Sequence, residues 1–291
     1  MACGISCLPA GECLANTYSI AHGGFITSLT QNATREYFLL RYPSISQPDA
    51  INLQVLYIPP VPCGEVRIVV EDLKIGRKIS MVRVEVQIED EAGKFATRTI
   101  SLVTQGNLAA QQGINGPISL SLKSTMPHRE DCERWVPKWA LEMVLVNLKL
   151  QYFIPSGGLD ARWPDRFDPG VREGWVKMDE GTSFDTLSVG SLADNWFTVP
   201  TAYPAEEDQA IAGFTAFRYP TLSMTLEIKR QVKDLEWLFV RIVMRGVEDG
   251  RANTDVLIIS KTGQLMAVCR LLMLVMAVAS KSEDERRVIK L

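Results

Sequence analysis

Ile51-Asn52-Leu53-Gln54-Val55-Leu56-Tyr57 and Thr221-Leu222-Ser223-Met224-Thr225-Leu226-Glu227-Ile228 are the two stretches whose comparison decides the fold. Both are strand-like, and each heads the same series of segments. After the first come Pro59, Pro60 and Pro62, then the Val- and Ile-rich run Glu65 to Asp72. A turn at Gly76-Arg77 leads to the alternating run Ile79 to Ile88, an acidic turn from Glu89 to Gly93, and a last strand from Phe95 to Thr104. After the second stretch come Leu235 to Met244, a turn at Gly250-Arg251, Val256 to Ser260, the turn Lys261-Thr262-Gly263, and Leu265 to Val278. Glu65-Val66 thus answers Glu236-Trp237, Gly76-Arg77 answers Gly250-Arg251, and Ala92-Gly93 answers Thr262-Gly263. Self-similarity of this kind marks one supersecondary unit used twice. Long alternating runs joined by Gly-containing turns mark that unit as an antiparallel meander.

Outward from each meander, toward the N-terminus, lies one helix candidate. In the first half it runs from His22-Gly23-Gly24 through Leu40, with Phe25, Ile26 and Leu29 on an apolar stripe. In the second half Phe184 to Phe197 holds the same place and offers Leu187, Leu192 and Trp196 to a core. One helix ahead of a meander is an α+β arrangement, the sheet wrapped around the helix. The polar segment Gly106 to Lys138 is expected as a surface connector. Met143 to Ile154 is expected to open the second half as a strand, Ser156 to Val171 to be a loop, and Glu173 to Met178 a short second strand. The expected organisation is an N-terminal unit over residues 1–120, a connector over 121–140 and a C-terminal unit over 141–291. The two sheets are expected to join edge to edge, because a lone unit would leave a sheet edge unpaired. The fusion makes an internal dimer, so a further homo-oligomer is possible but not required.

Composition narrows the function classes. With 46% apolar and 22% charged residues in 291, the chain can bury a sizeable core. Its net charge of −3 offers no general attraction for a phosphate backbone, so nucleic acid is not an expected partner. The longest apolar run, Leu265 to Ala279, is broken by Arg270 and too short for a bilayer span. The first residues lack the basic and apolar regions of a secretory signal. A soluble cytoplasmic protein is expected, although Val288-Ile289-Lys290-Leu291 loosely matches a peroxisomal ending. Cys3, Cys7, Cys13, Cys63, Cys132 and Cys269 include no CxxC pair, so free thiols and no metal are expected. His128, Asp131, Cys132 and Glu133 have ligand chemistry but sit in the polar connector, where a solvated face is the expected reading. No cofactor is called for. The six tryptophans could line a pocket, but most are expected in core or interface packing.

The order and spacing of several segments resemble the double-hotdog acyl-CoA thioesterases, and among them the fungal thioesterase-like branch. These segments are Ala21-His22-Gly23-Gly24-Phe25, Val70 to Arg77, Leu192-Ala193-Asp194-Asn195-Trp196, Tyr219 to Ile228, Glu236 to Val240 and Gly263 to Ala267. The resemblance covers nearly the whole chain. It implies a tandem hotdog and hydrolysis of acyl thioesters by an Asp, a Thr or Ser, and a Gln from the second hotdog. Asp194 matches the Asp and Thr221 the hydroxyl residue, while the Gln position falls on Arg270, a departure from the pattern.

Thioester hydrolysis needs a positioned water, a base for its proton and donors for the oxyanion. Asp194 against the sheet would be poorly solvated, which raises its pKa toward a useful range. Thr221 could hold the water, and backbone N–H groups around His22, Gly23 and Gly24 could receive the carbonyl oxygen at a helix N-terminus. Each has a plainer alternative: a helix-capping Asp, an ordinary strand Thr, a tight Gly-Gly turn. Arg270 interrupts an apolar strand, where an unpaired charge is costly; it either contacts substrate or oxyanion, or pairs with a carboxylate such as Asp194. The leading expectation is a hydrolase of CoA- or carrier-bound acyl chains, in fungal lipid or polyketide secondary metabolism. Its rival keeps the pocket but cyclises, dehydrates or isomerises a polyketide-like intermediate, or performs a pericyclic step on it. A third reading is a non-catalytic binding protein.

Overall fold

The computed structural model describes residues 20–113, 126–135, 150–155, 171–179, 181–194 and 217–277. In chain order these form α1 (Gly23–Arg41), β1 (Asp49–Tyr57), β2 (Arg67–Lys74), β3 (Ser80–Glu89), β4 (Phe95–Gly106), a 3-10 turn (Arg129–Asp131), β5 (Cys132–Trp135), β6 (Leu150–Pro155), β7 (Val171–Met178), α2 (Ser188–Ala193), β8 (Phe217–Arg218), β9 (Thr221–Ile228), β10 (Trp237–Glu248), β11 (Arg251–Ser260), β12 (Leu265–Leu274) and β13 (Met276–Ala277).

The repeat is visible in the turns as well as the strands. Between β3 and β4 the Gly93 N–H donates to the Asp90 carbonyl, with Gly93 at φ 76°. Between β11 and β12 the Gly263 N–H donates to the Ser260 carbonyl in the same way, with Gly263 at φ 84°. A residue without Cβ occupies this left-handed position at no steric cost.

Strand order makes the two halves mirror each other about a central seam. One eleven-stranded sheet runs β2-β3-β4-β1-β9-β12-β11-β10-β7-β6-β5. Its centre is the antiparallel pairing of β1 with β9, from Asn52 opposite Glu227 to Leu56 opposite Ser223. The expected edge-to-edge join is therefore present among the described residues and makes the eleven strands continuous, while β8 and β13 pair separately. The expected connector also contains structure: β5 pairs with β6, Cys132 opposite Pro155 through Trp135 opposite Tyr152. The second helix is shorter than expected, ending at Ala193 with Asp194 as its C-cap; Asn195 to Phe197 lie outside the described residues, as do residues 143–149 of the expected opening strand.

Helix α1 lies on the inner face of the sheet and buries Ile26, Thr27, Leu29, Thr30, Gln31, Thr34, Tyr37 and Phe38, a stripe at helical spacing. Opposite stand Leu53, Val55, Val82, Val84, Val86 and Val103 from the first half, with Met224, Leu226, Val256 and Ile258 from the second, all in the same core. Burying each such side chain stabilises the fold by about 1.5–3 kcal/mol before entropy is subtracted. Helix α2 crosses α1 closely. Ser28 Oγ donates to the Leu187 carbonyl at 2.6 Å and meets Ser191 Oγ at 2.9 Å. A Cβ on Gly24 would lie 2.8 Å from the Gly190 carbonyl oxygen, so the crossing depends on glycine.

The other face of the sheet carries a second apolar cluster, Trp175, Phe239 and Ile259, packed beside Trp237 and Phe153. On that face Arg241 and Glu173 stand opposite each other on β10 and β7 and form an ion pair, their side chains 13% and 3% exposed. Cys132 and Cys269 are free, but Cys63 is in a disulfide, which corrects the expectation of free thiols throughout. Ile20 bridges to Pro62 and the Ala21 N–H donates to the Val61 carbonyl, so the chain entering α1 runs alongside Cys63. Among the described residues no group of His, Cys, Asp and Glu is arranged to hold a metal, and no helix is long and apolar enough to cross a membrane.

Candidate active site

Asp194, Thr221, His22, Gly23 and Gly24 converge at the central seam of the sheet. Three separate elements deliver them: the C-cap of α2, the first residue of β9 and the N-terminus of α1. The Asp194 side chain is 7% exposed. Thr221 Oγ1 donates to Asp194 Oδ1 at 3.2 Å, which orients the carboxylate and leaves the hydroxyl's lone pairs as acceptors. Asp194 Oδ2 faces Gly23, where a Cβ would come within 2.6 Å of it. Glycine at position 23 is what lets the helix N-terminus approach a carboxylate this closely.

His22 caps α1. Its backbone is extended, and its Nδ1 accepts the Gly24 N–H at 3.2 Å. An accepting Nδ1 leaves the neutral ring's proton on Nε2. The 3.7 Å from Nδ1 to Asp194 Oδ2 is beyond hydrogen-bond length, so the contact is a proximity and not a bond. Burial raises the Asp194 pKa above the ordinary carboxylate value; His22, the Thr221 hydroxyl and the Gly24 N–H pull the other way without cancelling it. A carboxyl group poised upward in this way is a better base when ionised than an exposed one.

Tyr57 belongs to this site. It stands at the end of β1, with its hydroxyl 2.9 Å from the Gly23 carbonyl oxygen and 2.7 Å from Thr27 Oγ1. Burial and then the Asp194 charge push its phenol pKa well up. Tyr57 was readable in the opening strand, since its phase with Leu53 and Val55 puts it on the inner face. Taking the strand as a whole hid it.

Arg270 does not belong to the site, which corrects the expectation placed on it. Along β12 Cys269 and Leu271 are buried inward, and Arg270 between them points outward with its side chain 68% exposed. Its Nε donates to Oδ1 of Asp255, directly opposite on β11, at 2.7 Å. Arg245 Nε holds the other oxygen of the same carboxylate at 2.7 Å. The cost of a charge in an apolar strand is thus met on the outer face by Asp255, not by Asp194. Cys269 is buried on the inward face of β12, and burial first, then the Asp194 and Asp255 charges, push its thiol pKa well up. His128, Asp131, Cys132 and Glu133 lie in and beside the turn before β5; Cys132 Sγ donates to the His128 carbonyl.

Two family models match this chain, the acyl-CoA thioesterase N-terminal domain over residues 15–108 and the acyl-CoA thioesterase C-terminal domain over residues 129–275. The chain belongs to the acyl-CoA thioesterase family. Within its reach is a thioesterase-like protein, TwmA of Talaromyces wortmannii, 21% identical over 93% of this chain and 87% of that one. Among solved structures, a candidate thioesterase II from Thermobifida fusca superposes with a TM-score of 0.67 at 17% identity, covering 94% of this chain and 91% of its own. A protein of unknown function with a hot dog fold from Alicyclobacillus acidocaldarius follows at 0.63 and 13% identity, with 90% of each chain covered. At these identities the superpositions establish a shared hotdog-type fold for this acyl-CoA thioesterase family chain. The residues above define its candidate site.

Proposed function

We propose that this chain hydrolyses acyl thioesters, carried on CoA or on a carrier protein, with Asp194 as the general base. In this reading residues 1–120 and 141–291 are two hotdog units joined at β1 and β9, and the acyl group lies at their seam. The observation that carries the proposal is the buried Asp194 carboxylate, fixed by Thr221 and facing the N-terminus of α1. Ionised Asp194 takes a proton from water through Oδ2 as the water oxygen attacks the thioester carbon. The first-turn N–H groups of α1 receive the developing oxyanion, the Gly24 N–H leaving its 3.2 Å contact with His22 Nδ1 to do so. Collapse of the tetrahedral intermediate breaks the C–S bond, the proton taken up by Asp194 passes to the leaving sulfur, and the thiol and the free acid depart with Asp194 ionised again.

Incubation with a panel of acyl-CoAs, following thiol release, tests this directly. Turnover of at least one member is expected, and Asp194→Asn should lower it by roughly two to four orders of magnitude. Near-normal turnover by that variant removes Asp194 from the mechanism. One observation favours a second reading: the residues that β12 buries on the inner face, Ala267, Cys269, Leu271 and Met273, include no amide to match the Gln that the resemblance implies. A site without that group suits a cyclase, dehydratase or isomerase on a polyketide-like intermediate, in fungal secondary metabolism as much as in lipid turnover. Silence across all acyl chain lengths would shift the reading there.

A further inference from the structure

We propose that Tyr57 is a positioning residue that sets the aim and donor strength of the Gly24 N–H by acting on the far side of the Gly23–Gly24 peptide. The proposal rests on the reading above, in which the first turn of α1 receives the thioester oxygen. Tyr57 OH lies 2.9 Å from the Gly23 carbonyl oxygen, and its ring packs under Gly23, with Cζ 3.3 Å from where a Cβ would be. In a planar trans peptide the C=O and the N–H of the next residue point in opposite directions. Fixing the Gly23 oxygen from the sheet side therefore fixes the Gly24 N–H on the site side, where it meets His22 Nδ1 and Asp194.

Proton counting decides how the hydroxyls are wired. Thr27 Oγ1 is 3.1 Å from the Gly23 oxygen and 2.7 Å from Tyr57 OH, and each hydroxyl has one proton to give. The assignment using the shorter contacts is a relay, in which Thr27 donates to Tyr57 and Tyr57 donates to the Gly23 carbonyl. Bonds in such a chain polarise one another. Drawing electron density toward the Gly23 oxygen makes the Gly24 N–H a stronger donor. Burial keeps the phenol protonated, so the relay holds across the working pH range.

Tyr57→Phe in the full chain removes the donor and keeps the ring. With glycine labelled in 15N, the Gly24 amide resonance should shift toward a weaker donor in the variant. Loss of one supporting hydrogen bond should lower kcat about 3- to 10-fold, with KM and the midpoint of the pH profile unchanged. Thr27→Val, which cuts the relay one bond earlier, should move the same resonance in the same direction; it also serves if Tyr57→Phe fails to fold. An unmoved Gly24 resonance in both variants, or a raised KM at constant kcat, overturns the proposal. A wild-type protein that turns over no thioester sinks the hydrolase reading alone, because the Gly24 shift still decides what Tyr57 does to that peptide.

Discussion

Gly23→Ala tests whether the close approach of α1 to Asp194 matters. The new methyl carbon would sit 2.6 Å from Asp194 Oδ2 and 3.3 and 3.4 Å from Tyr57 Cζ and Cε1. Reaching ordinary contact, which begins at 3.4 Å, means opening the gap to the carboxylate by about 0.8 Å. Asp194 has little room to withdraw: Thr221 holds its other oxygen, and its own Cβ is already among the atoms crowding Gly24. Misplacing a catalytic group by about 1 Å costs on the order of 100-fold in rate. Stability should suffer less. Overpacking costs about 1–3 kcal/mol, while alanine in a helix gains up to about 1 kcal/mol over glycine. The signature is therefore a kcat/KM reduced about 100-fold in a protein whose melting temperature falls by a few degrees at most. Initial rates of thiol release together with thermal unfolding measure both. Activity within twofold of wild type would refute the geometry argued for this site.

Three further variants probe the electrostatics. The raised folded pKa of Asp194 means that the folded chain holds this proton more tightly than the unfolded chain. Ionisation thus costs stability above the unfolded carboxylate pKa and nothing below it, so Asp194→Asn should melt increasingly above wild type as pH rises from about 4; a difference independent of pH would sink this. Arg270→Gln should leave turnover within twofold and cost at most about 1 kcal/mol, since the pair is exposed and Arg245 still holds Asp255; a tenfold change in rate would return Arg270 to the site. Arg241→Ala leaves the Glu173 carboxylate buried without its ion-pair partner and should cost about 3–5 kcal/mol in urea unfolding, with much of the loss recovered by adding Glu173→Gln. A loss below 1 kcal/mol would mean that water reaches Glu173.

The strands and their pairing in sequence order were legible because turns punctuate them. Gly76 and Gly250, Gly93 and Gly263 mark equivalent corners in the two halves, and the runs between them alternate with period two. The site was legible only through the resemblance: Asp194 and Thr221 meet where the first residue of β9 reaches the C-cap of α2, and nothing local in either segment announces it. Arg270 shows the limit of that route. One residue of slip along a strand exchanges its faces, and the inward neighbours of Arg270 are Cys269 and Leu271. The four-residue β5 escaped notice because Glu133 and Arg134 give it the polar look of a loop, as suits a strand at the sheet's edge.

The seam between β1 and β9 has a consequence for how the chain is made. The first half's strands are all synthesised once Gly106 has been added, yet the partner of β1 is finished only at Ile228, about 120 residues later. At synthesis rates of about 5–20 residues per second, that interval lasts roughly 6–24 s. Throughout it β1 offers an open row of backbone donors and acceptors, flanked by the exposed apolar residues Leu56 and Ile58. Two nascent chains on one messenger could pair through that edge before either meets its own β9. The ribosome's pace and the chaperones that shield a growing chain are thus part of what determines whether this molecule closes on itself or on its neighbour.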